Sequence, residues 1–416
     1  MENFRNLRID ENILKVIKEE RFENPTEIQN KTIPLVIDGK DILAGSATGS
    51  GKTLAFGCGI IQNAKKGNGI QAMILTPTRE LAEQVSEALR KFSKYTHLKI
   101  IPVYGGVSIG AQIDKLRTTD IVVGTPGRML DHISRNTINL KGVKTVVLDE
   151  ADRMLDMGFI HDVEKILRSC PKKRQTLLFS ATISGQIGNL AYKYMNNPVN
   201  ISVESHVDPT KLTQIYYDVA DNLKFSLLVH LLKNEKSLLS MVFCNTQRTT
   251  DFVATNLKNN GIKAVAIHGG LTQDKRTKIM RQFNSEKGPE VLTCTDVAAR
   301  GLDIRDVSHV YNYDSSKESD TYIHRIGRTA RAGKDGLAIT LLSSKDYENF
   351  RRVLSNRALN VEKEDVPQNL ERVKVEARAP QRRQSSFRRP SNARGGSGRG
   401  GSSNRGGSSG RGPRRR

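Results

Sequence analysis

Short apolar runs that end abruptly in polar and glycine-rich groups recur along this chain. AMILTPTRE (72–80), IVVGTPGR (121–128), TVVLDEAD (145–152) and QTLLFSAT (175–182) form one set. LLSMVFCNT (238–246), KAVAIHGG (263–270), EVLTCTD (290–296), HVYNYD (309–314) and LAITLLS (337–343) form a second. Continuous apolar runs rich in Val and Ile predict parallel strands buried on both faces. Helical stretches alternate with them, so the pattern predicts an α/β fold of doubly wound parallel sheets. Ligands of such sheets bind beyond the carboxyl ends of the strands, and the polar groups sit at those ends in both sets. The pattern breaks at SVESHVDPTKLTQ (202–214), where Asp208 and Pro209 mark a turn. This reading gives one domain over 1–204, a linker over 205–211, a second domain over 212–362, and an extension and tail over 363–416.

Composition adds a partner class. The 416 residues carry 66 Lys+Arg against 44 Asp+Glu, a net charge of +22, which points to a polyanion such as nucleic acid. The charge is unevenly spread. Residues 377–416 hold twelve arginines and no acid, so +12 of the +22 lies there and 22 − 12 = +10 in the remainder. That stretch lacks Val, Ile, Leu and Met, repeats RGG, GRG and GGS units, and is expected to be disordered. It reads as a cationic arm for phosphates or, more blandly, as a solubilising tail. Cys58, Cys170, Cys244 and Cys294 form no CxxC pair, which argues against a zinc module or a disulfide framework. The charged start, MENFRNLRIDENILK, has no signal-like apolar region, and no apolar run nears the length of a membrane span. A cytoplasmic protein is the expectation.

Candidate chemistry gathers at the strand ends. SATGSGKT (Ser46, Ala47, Thr48, Gly49, Ser50, Gly51, Lys52, Thr53) follows an apolar stretch and precedes a helical one. Glycines admit backbone N–H groups to phosphate oxygens, and the helix N-terminus adds positive potential. Lys52 would reach the β- and γ-phosphates and Thr53 would hold Mg2+. The strict pattern begins with Gly or Ala; here Ser46 stands first. VVLDEAD supplies the acidic partner: Asp149 for Mg2+, and Glu150 to orient and deprotonate the attacking water. In HRIGRTAR, His324, Arg325, Arg328 and Arg331 recur at spacings that would put them on one helix face. Arg328 and Arg331 read as fingers for the γ-phosphate, the alternative being a solvated basic face. In PTRELA and TPGR, Thr76 or Thr125 would precede or cap a helix, Pro77 or Pro126 suits its first turn, and Arg79 or Arg128 sits beside it. Ordinary capping explains either one alone; two with arginines argue for phosphate binding. Gly105 and Gly106 permit close backbone approach.

Taken together these residues resemble the DEAD-box ATP-dependent RNA helicases of helicase superfamily 2, over roughly residues 1–362. The resemblance implies two tandem RecA-like domains, ATP and Mg2+ as cofactors, and RNA as partner. Phe4 with ERFENPTEIQ (20–29) is similar to the family's Q motif, placed at 2–30. By that resemblance Phe22 stacks on adenine, Gln29 bonds its edge, and Pro25 and Thr26 belong to the same site; the family usually has Gly where Arg21 stands. Ser180 and Thr182 of SAT, with Asp152 and His324, match residues that couple hydrolysis to strand separation. Within TDVAARGLD, Gly301 and Asp303 match nucleotide-facing positions, and Thr295 and Arg300 match positions nearer RNA. Thr78, Gly127, Asn245, Thr246, Gly270, Gln273 and Arg276 match the RNA path.

Trp is absent and aromatics make up 5% of the chain, too few for a platform that stacks successive bases. The grip is therefore expected on sugar and phosphate, with little sequence preference. The implied activity is an RNA-dependent ATPase that locally unwinds short duplexes or remodels RNA–protein complexes, hydrolysis being coupled to closure of an inter-domain cleft. An ATP-independent RNA chaperone or annealing protein acting through the tail is the alternative.

Overall fold

A computed structural model describes residues 2–46, 49–203, 212–235, 239–285, 287–299, 304, 307–330, 335–357 and 359–376. These residues belong to one compact unit, Met1–Glu376. The expected linker 205–211, the tail from 377, and Ala47, Thr48, Arg300, Gly301, Asp303 and Arg331 lie outside the described residues.

The nine apolar runs are strands, and five further segments, the polar Glu362–Glu364 among them, also pair into the sheets. In the first half the strands are β1 (Ile42–Gly45), β2 (Ala72–Leu75), β3 (Ile100–Val103), β4 (Ile121–Gly124), β5 (Thr145–Leu148), β6 (Gln175–Ser180) and β7 (Val199–Ser202). In the second half they are β8 (Leu212–Asp218), β9 (Leu239–Phe243), β10 (Ala264–Ile267), β11 (Val291–Cys294), β12 (Val307–Asn312), β13 (Gly336–Leu342) and β14 (Glu362–Glu364). They form two seven-stranded sheets, ordered β3-β4-β2-β5-β6-β1-β7 and β10-β11-β9-β12-β13-β8-β14. The second order is the first with every strand number raised by seven, so one topology occurs twice in tandem. All strand pairs are parallel. This is the RecA-like α/β architecture.

Alternation along each strand feeds two cores, one on either face. Ile74, Val123, Val147 and Leu177 join Phe56 and Phe179 on one face of the first sheet. Their neighbours Met73, Leu75, Val122, Val146 and Leu148 join Met129, Met154 and Ile166 on the other. In the second sheet Val242 and Met241 divide in the same way. Each such side chain stabilises the fold by about 1.5–3 kcal/mol relative to exposure, and the few polar residues inside the runs, such as Ser240 and Thr293, are themselves buried.

The sheet order sorts the strand-end groups by position. β5, β6 and β1 are neighbours, so the DEAD, SAT and SATGSGKT groups lie side by side. β3, β4 and β2 are neighbours on the other side of the same sheet, which gathers Gly105–Gly106, TPGR and PTRE.

The chain does not leave the second domain at residue 362, the limit the sequence pattern suggested. β14 pairs with β8, and Val366, Leu370 and Val373 pack on the core beneath it. Val373 N donates to Ser226 Oγ at 3.2 Å, and Glu376 N to Asn256 Oδ1 at 2.8 Å. Three spaced apolar residues in a polar stretch were too sparse a pattern to reveal this strap. Among the described residues no helix is long and apolar enough to cross a membrane.

Candidate active site

The loop after β1 is anchored at its start by Ser46 N, which donates to Ser180 O at 2.9 Å. At its end Gly51 caps the helix Lys52–Asn63 with φ +91°, a left-handed conformation that side chains rarely adopt. A Cβ there would also run into the Gln29 amide. Gln29 is buried, and both ends of its side chain are engaged. Oε1 accepts from Thr26 N at 3.0 Å, and Nε2 donates to Gly51 O at 3.1 Å. Thr26 Oγ1 donates to Ser50 O at 2.8 Å. Thr26 and Gln29 thus clamp the loop that precedes Lys52, and these bonds leave Gln29 one N–H and one lone pair.

Ser46 is buried, and Ser50 Oγ lies 3.3 Å from its Oγ, so the departure from Gly or Ala is accommodated by a hydroxyl pair. Thr53 and Pro25 are half-buried, and Gly49 is exposed. Phe22 is 40% exposed, with its ring 6.4 Å from that of Phe92, leaving ring surface open for stacking. Arg21 takes the left-handed conformation at φ 57°, so the turn forms without glycine.

The acidic group faces the loop from β5. Lys52 Nζ donates to Ser46 O at 3.3 Å and lies 4.0 Å from Asp149 Oδ1. Asp149 is 2% exposed, and its Oδ1 has no hydrogen-bond partner. Burial pushes its carboxyl up to about 6, against the opposing pull of Lys52. A buried, orphaned carboxylate oxygen beside a phosphate-loop lysine, with Thr53 next in sequence, suits a magnesium ion that takes its other ligands from phosphates and water. Among the described residues no cluster of three or more His, Cys, Asp or Glu could hold a metal.

Glu150 is equally buried and strained, with φ 53° and ψ 51° at the start of the helix Ala151–Asp156. Arg153, itself 3% exposed, donates from Nη1 to Glu150 Oε2 at 2.9 Å. Asp152 joins the DEAD group to SAT. Its Oδ2 accepts from Ala181 N and Thr182 N at 3.2 Å and from Thr182 Oγ1 at 3.4 Å. Ser180 Oγ in turn accepts from Asp152 N at 3.2 Å and donates to Thr182 O at 2.7 Å.

On the other side of the sheet the two Thr-Pro elements differ, contrary to the single device read from sequence. Thr125 stands at the N-cap position of the helix Pro126–Ser134 without a side-chain cap bond, with Pro126 in the first turn. In the other element the cap is Thr78, whose Oγ1 accepts from Leu81 N at 3.3 Å; Thr76 is buried and donates to Thr78 O at 3.2 Å. The helix Arg79–Phe92 therefore starts after Pro77, two residues later than the analogy implies. The Arg79 guanidinium lies against Gly106, where φ is +86° and a Cβ would collide with it. Arg128 donates from Nη1 to Val107 O at 3.1 Å and to Gln112 Oε1 at 2.9 Å. Gly105 is half-buried and Gly127 exposed beside these arginines.

The second half corrects further expectations. The helix Ser319–Ile326 ends at Gly327, so Arg328 lies beyond it and shares no helical face with His324 and Arg325. Arg325 is not a surface residue at all. It is 1% exposed and donates to Asp296 Oδ1 and Oδ2 at 2.6 and 2.7 Å, Asn312 Oδ1 at 3.2 Å, Asp314 O at 2.6 Å and Asn245 Oδ1 at 2.9 Å. Arg328 is also buried, lining a small hollow with Phe243, Asp296, Thr321 and His324.

Asn245, expected on the RNA path, spends its side chain on Arg325 and on Ser315 O at 2.9 Å. Gln273 and Arg276 are turned toward the first half: Gln273 Nε2 donates to Glu80 Oε1 at 3.1 Å, and Arg276 Nε lies 2.9 Å from that oxygen. A carboxylate drew them there, one that sequence reading passed over inside PTRE. Thr246 caps the helix Gln247–Asn259, Thr295 precedes the helix Asp296–Ala299, and Gly270 is exposed. Arg153 was also missed; its signal is the i,i+3 spacing to Glu150.

A phosphate loop facing an acidic pair, on a tandem of RecA-like sheets with a second, arginine-bearing set of strand ends, defines a nucleoside-triphosphatase that works on a polyanion. Comparison with known proteins sharpens the class. The family described as DEAD/DEAH box helicase matches residues 26–190, and the helicase conserved C-terminal domain matches residues 223–333. The ATP-dependent RNA helicase CshA of Listeria monocytogenes is 46% identical over 356 residues, covering 85% of this chain and 68% of that protein. The crystal structure of a DEAD box protein from Methanococcus jannaschii is 45% identical, covering 87% of this chain and 99% of that one, with a TM-score of 0.54. Saccharomyces cerevisiae Dbp5 bound to RNA and ADP BeF3 is 31% identical, covering 88% and 96%, with a TM-score of 0.78. The chain belongs to the DEAD-box ATP-dependent RNA helicases.

Proposed function

We propose that the protein hydrolyses ATP in response to RNA and uses the cycle to separate short RNA duplexes or remodel RNA–protein complexes. The observation that carries this reading is the approach of Lys52 to within 4.0 Å of Asp149, at strand ends separate from those bearing Arg79 and Arg128. Lys52 and the loop amides bind the phosphates, and Thr53 and Asp149 hold Mg2+. Bound magnesium supplies neutralisation of phosphate charge. Glu150 holds the attacking water and takes its proton. Phe22 and Gln29 receive the adenine. Arg328, with Arg331, serves the γ-phosphate from the second domain, and Asp152, Ser180, Thr182 and His324 transmit the state of the site. Gly301 and Asp303 complete the nucleotide side.

RNA lies along Pro77, Thr78, Arg79, Gly105, Gly106, Thr125, Pro126, Gly127 and Arg128, and continues past Thr246, Gly270, Thr295 and Arg300 in the second domain. Domain closure links the two sites. The bridge from Glu80 to Gln273 and Arg276 favours this, as does the greater likeness to RNA-bound Dbp5 than to the more identical Methanococcus protein. The arginine-rich residues 377–416 add a salt-sensitive grip. A cytoplasmic location fits four free, buried cysteines whose thiols burial pushes upward.

The test is separation of a short RNA duplex, followed by fluorescence. Separation with ATP, and none without nucleotide, is expected; equal separation without ATP would overturn the proposal.

Asp149 gives the site a pH signature. Its folded-state pKa stands above the ordinary 3.8, at about 6, so the folded protein binds the extra proton between those values. Stability therefore falls as pH rises through that window, the cost of ionising a buried carboxylate. Catalysis runs the other way, because the proton competes with magnesium. The value of kcat/KM for Mg-ATP is expected to decline as pH falls through about 6, by up to about tenfold per pH unit.

A further inference from the structure

Gln112 belongs to no motif, yet one side-chain amide there joins three pieces of the face that carries Arg128. It sits in the helix Ile109–Leu116 and is 6% exposed. Its Nε2 donates to Tyr104 O at 3.1 Å, at the residue before the Gly105–Gly106 turn. Its Oε1 accepts from Arg128 Nη1 at 2.9 Å and lies 3.1 Å from His132 Nε2. Arg128 Nη1 also donates to Val107 O at 3.1 Å, on the far side of the same turn.

The histidine settles its own tautomer. Oε1 is an acceptor only, so His132 Nε2 carries the proton. Nδ1, 2.8 Å from Thr137 Oγ1, then accepts from that hydroxyl. His132 is fully buried, and burial together with Arg128 lowers its pKa, in keeping with a neutral ring that donates once and accepts once. Thr137, His132, Gln112 and Arg128 thus form one chain of satisfied bonds ending on the guanidinium.

We infer that Gln112 is a positioning residue of the RNA interface, holding the Arg128 guanidinium at a fixed spacing from the Gly105–Gly106 turn. The inference rests on the reading of that face as the RNA site. Arginine carries much rotamer entropy and presents its donors in a rigid fork. Nη1 is committed inward to Val107 O and Gln112 Oε1, and Nε lies 3.8 Å from Asp131 Oδ2, so the guanidinium is held in one orientation. The turn is tied to the same amide through Tyr104 O. A phosphate therefore meets a pocket whose two sides are already in register, and little ordering remains to be done on binding. Gln112 itself is too buried to touch the strand.

The test compares Gln112→Met, Gln112→Glu and Arg128→Ala, with the RNA concentration giving half-maximal ATPase set against kcat at saturating RNA. Gln112→Met keeps the volume and removes the amide. It should raise the half-saturating RNA about tenfold while changing kcat at saturating RNA less than about threefold. Gln112→Glu keeps an acceptor for Arg128 and His132 but buries a charge and sets a carboxylate oxygen against Tyr104 O, so the tie to the turn is lost and the half-saturating RNA should rise at least about threefold. Unchanged half-saturation in Gln112→Met, with Arg128→Ala weakened, overturns the inference and leaves the RNA face intact. Unchanged RNA dependence in Arg128→Ala overturns the reading of the face itself. Should Gln112→Met fail to fold, Gln112→Glu decides alone: a half-saturation equal to wild type counts against the inference.

Discussion

Replacing Glu150 by Gln is expected to lower kcat by roughly 10²–10⁴-fold, the range contributed by a positioned general base. The substitution is close to isosteric and the amide oxygen still accepts from Arg153, so the packing is kept, although the buried guanidinium loses its counter-charge and some stability goes with it. Asp149 and Lys52 are untouched. ATP and RNA should therefore still bind with affinities within about threefold of wild type, because only an interaction made in the transition state is lost. Single-turnover hydrolysis and equilibrium binding, measured on the same preparation, separate the two effects. Multiple turnovers at a near-native rate would remove Glu150 from the role of base.

The second large effect concerns stability. Arg325→Met should destabilise the second domain by about 3–5 kcal/mol, the range for removing one partner of a buried charge network. Four groups lose their donor at once: Asp296, Asn312 Oδ1, Asp314 O and Asn245 Oδ1. Asp314 is mostly buried, its carboxyl already raised by desolvation, with Arg325 among the charges that oppose the shift. The guanidinium also lies 5.3 Å from the Phe243 ring centre, so a stacking contact goes with it. Such a loss is a large part of the roughly 5–15 kcal/mol that holds a domain folded. Urea unfolding measures it. A loss below about 1 kcal/mol would mean that the network is replaceable by packing.

These two residues also mark where sequence was legible and where it was not. The position of Glu150 was legible because the signal is local: a buried strand, an acidic pair and a glycine-rich loop upstream suffice. Most strands were equally plain, since runs such as Ile121–Gly124 are apolar and buried on both faces, whereas Val199–Ser202 and Glu362–Glu364 carry no such run. Even the repeat was visible as two sets of runs, although their identical strand order was not. Arg325 was misread because spacing says which residues share a helix face, not which face is buried, nor that the helix stops at Gly327. Gln273 and Arg276 find Glu80 across 193 and 196 positions (273 − 80 and 276 − 80), a contact that no local pattern encodes. Gln112 illustrates the same limit. A neutral amide in an amphipathic helix carries no compositional signal, and its three partners come from two other parts of the chain, the turn at Tyr104 and the helix Pro126–Ser134.

RNA, and not merely any polyanion, is expected to drive this ATPase. ATP hydrolysis measured with single-stranded RNA and with DNA of the same sequence tests it most directly. RNA should raise the rate about tenfold or more and DNA less than about twofold, because the 2′-hydroxyl is what distinguishes the two strands at a backbone-directed site. Equal stimulation by DNA would contradict the account.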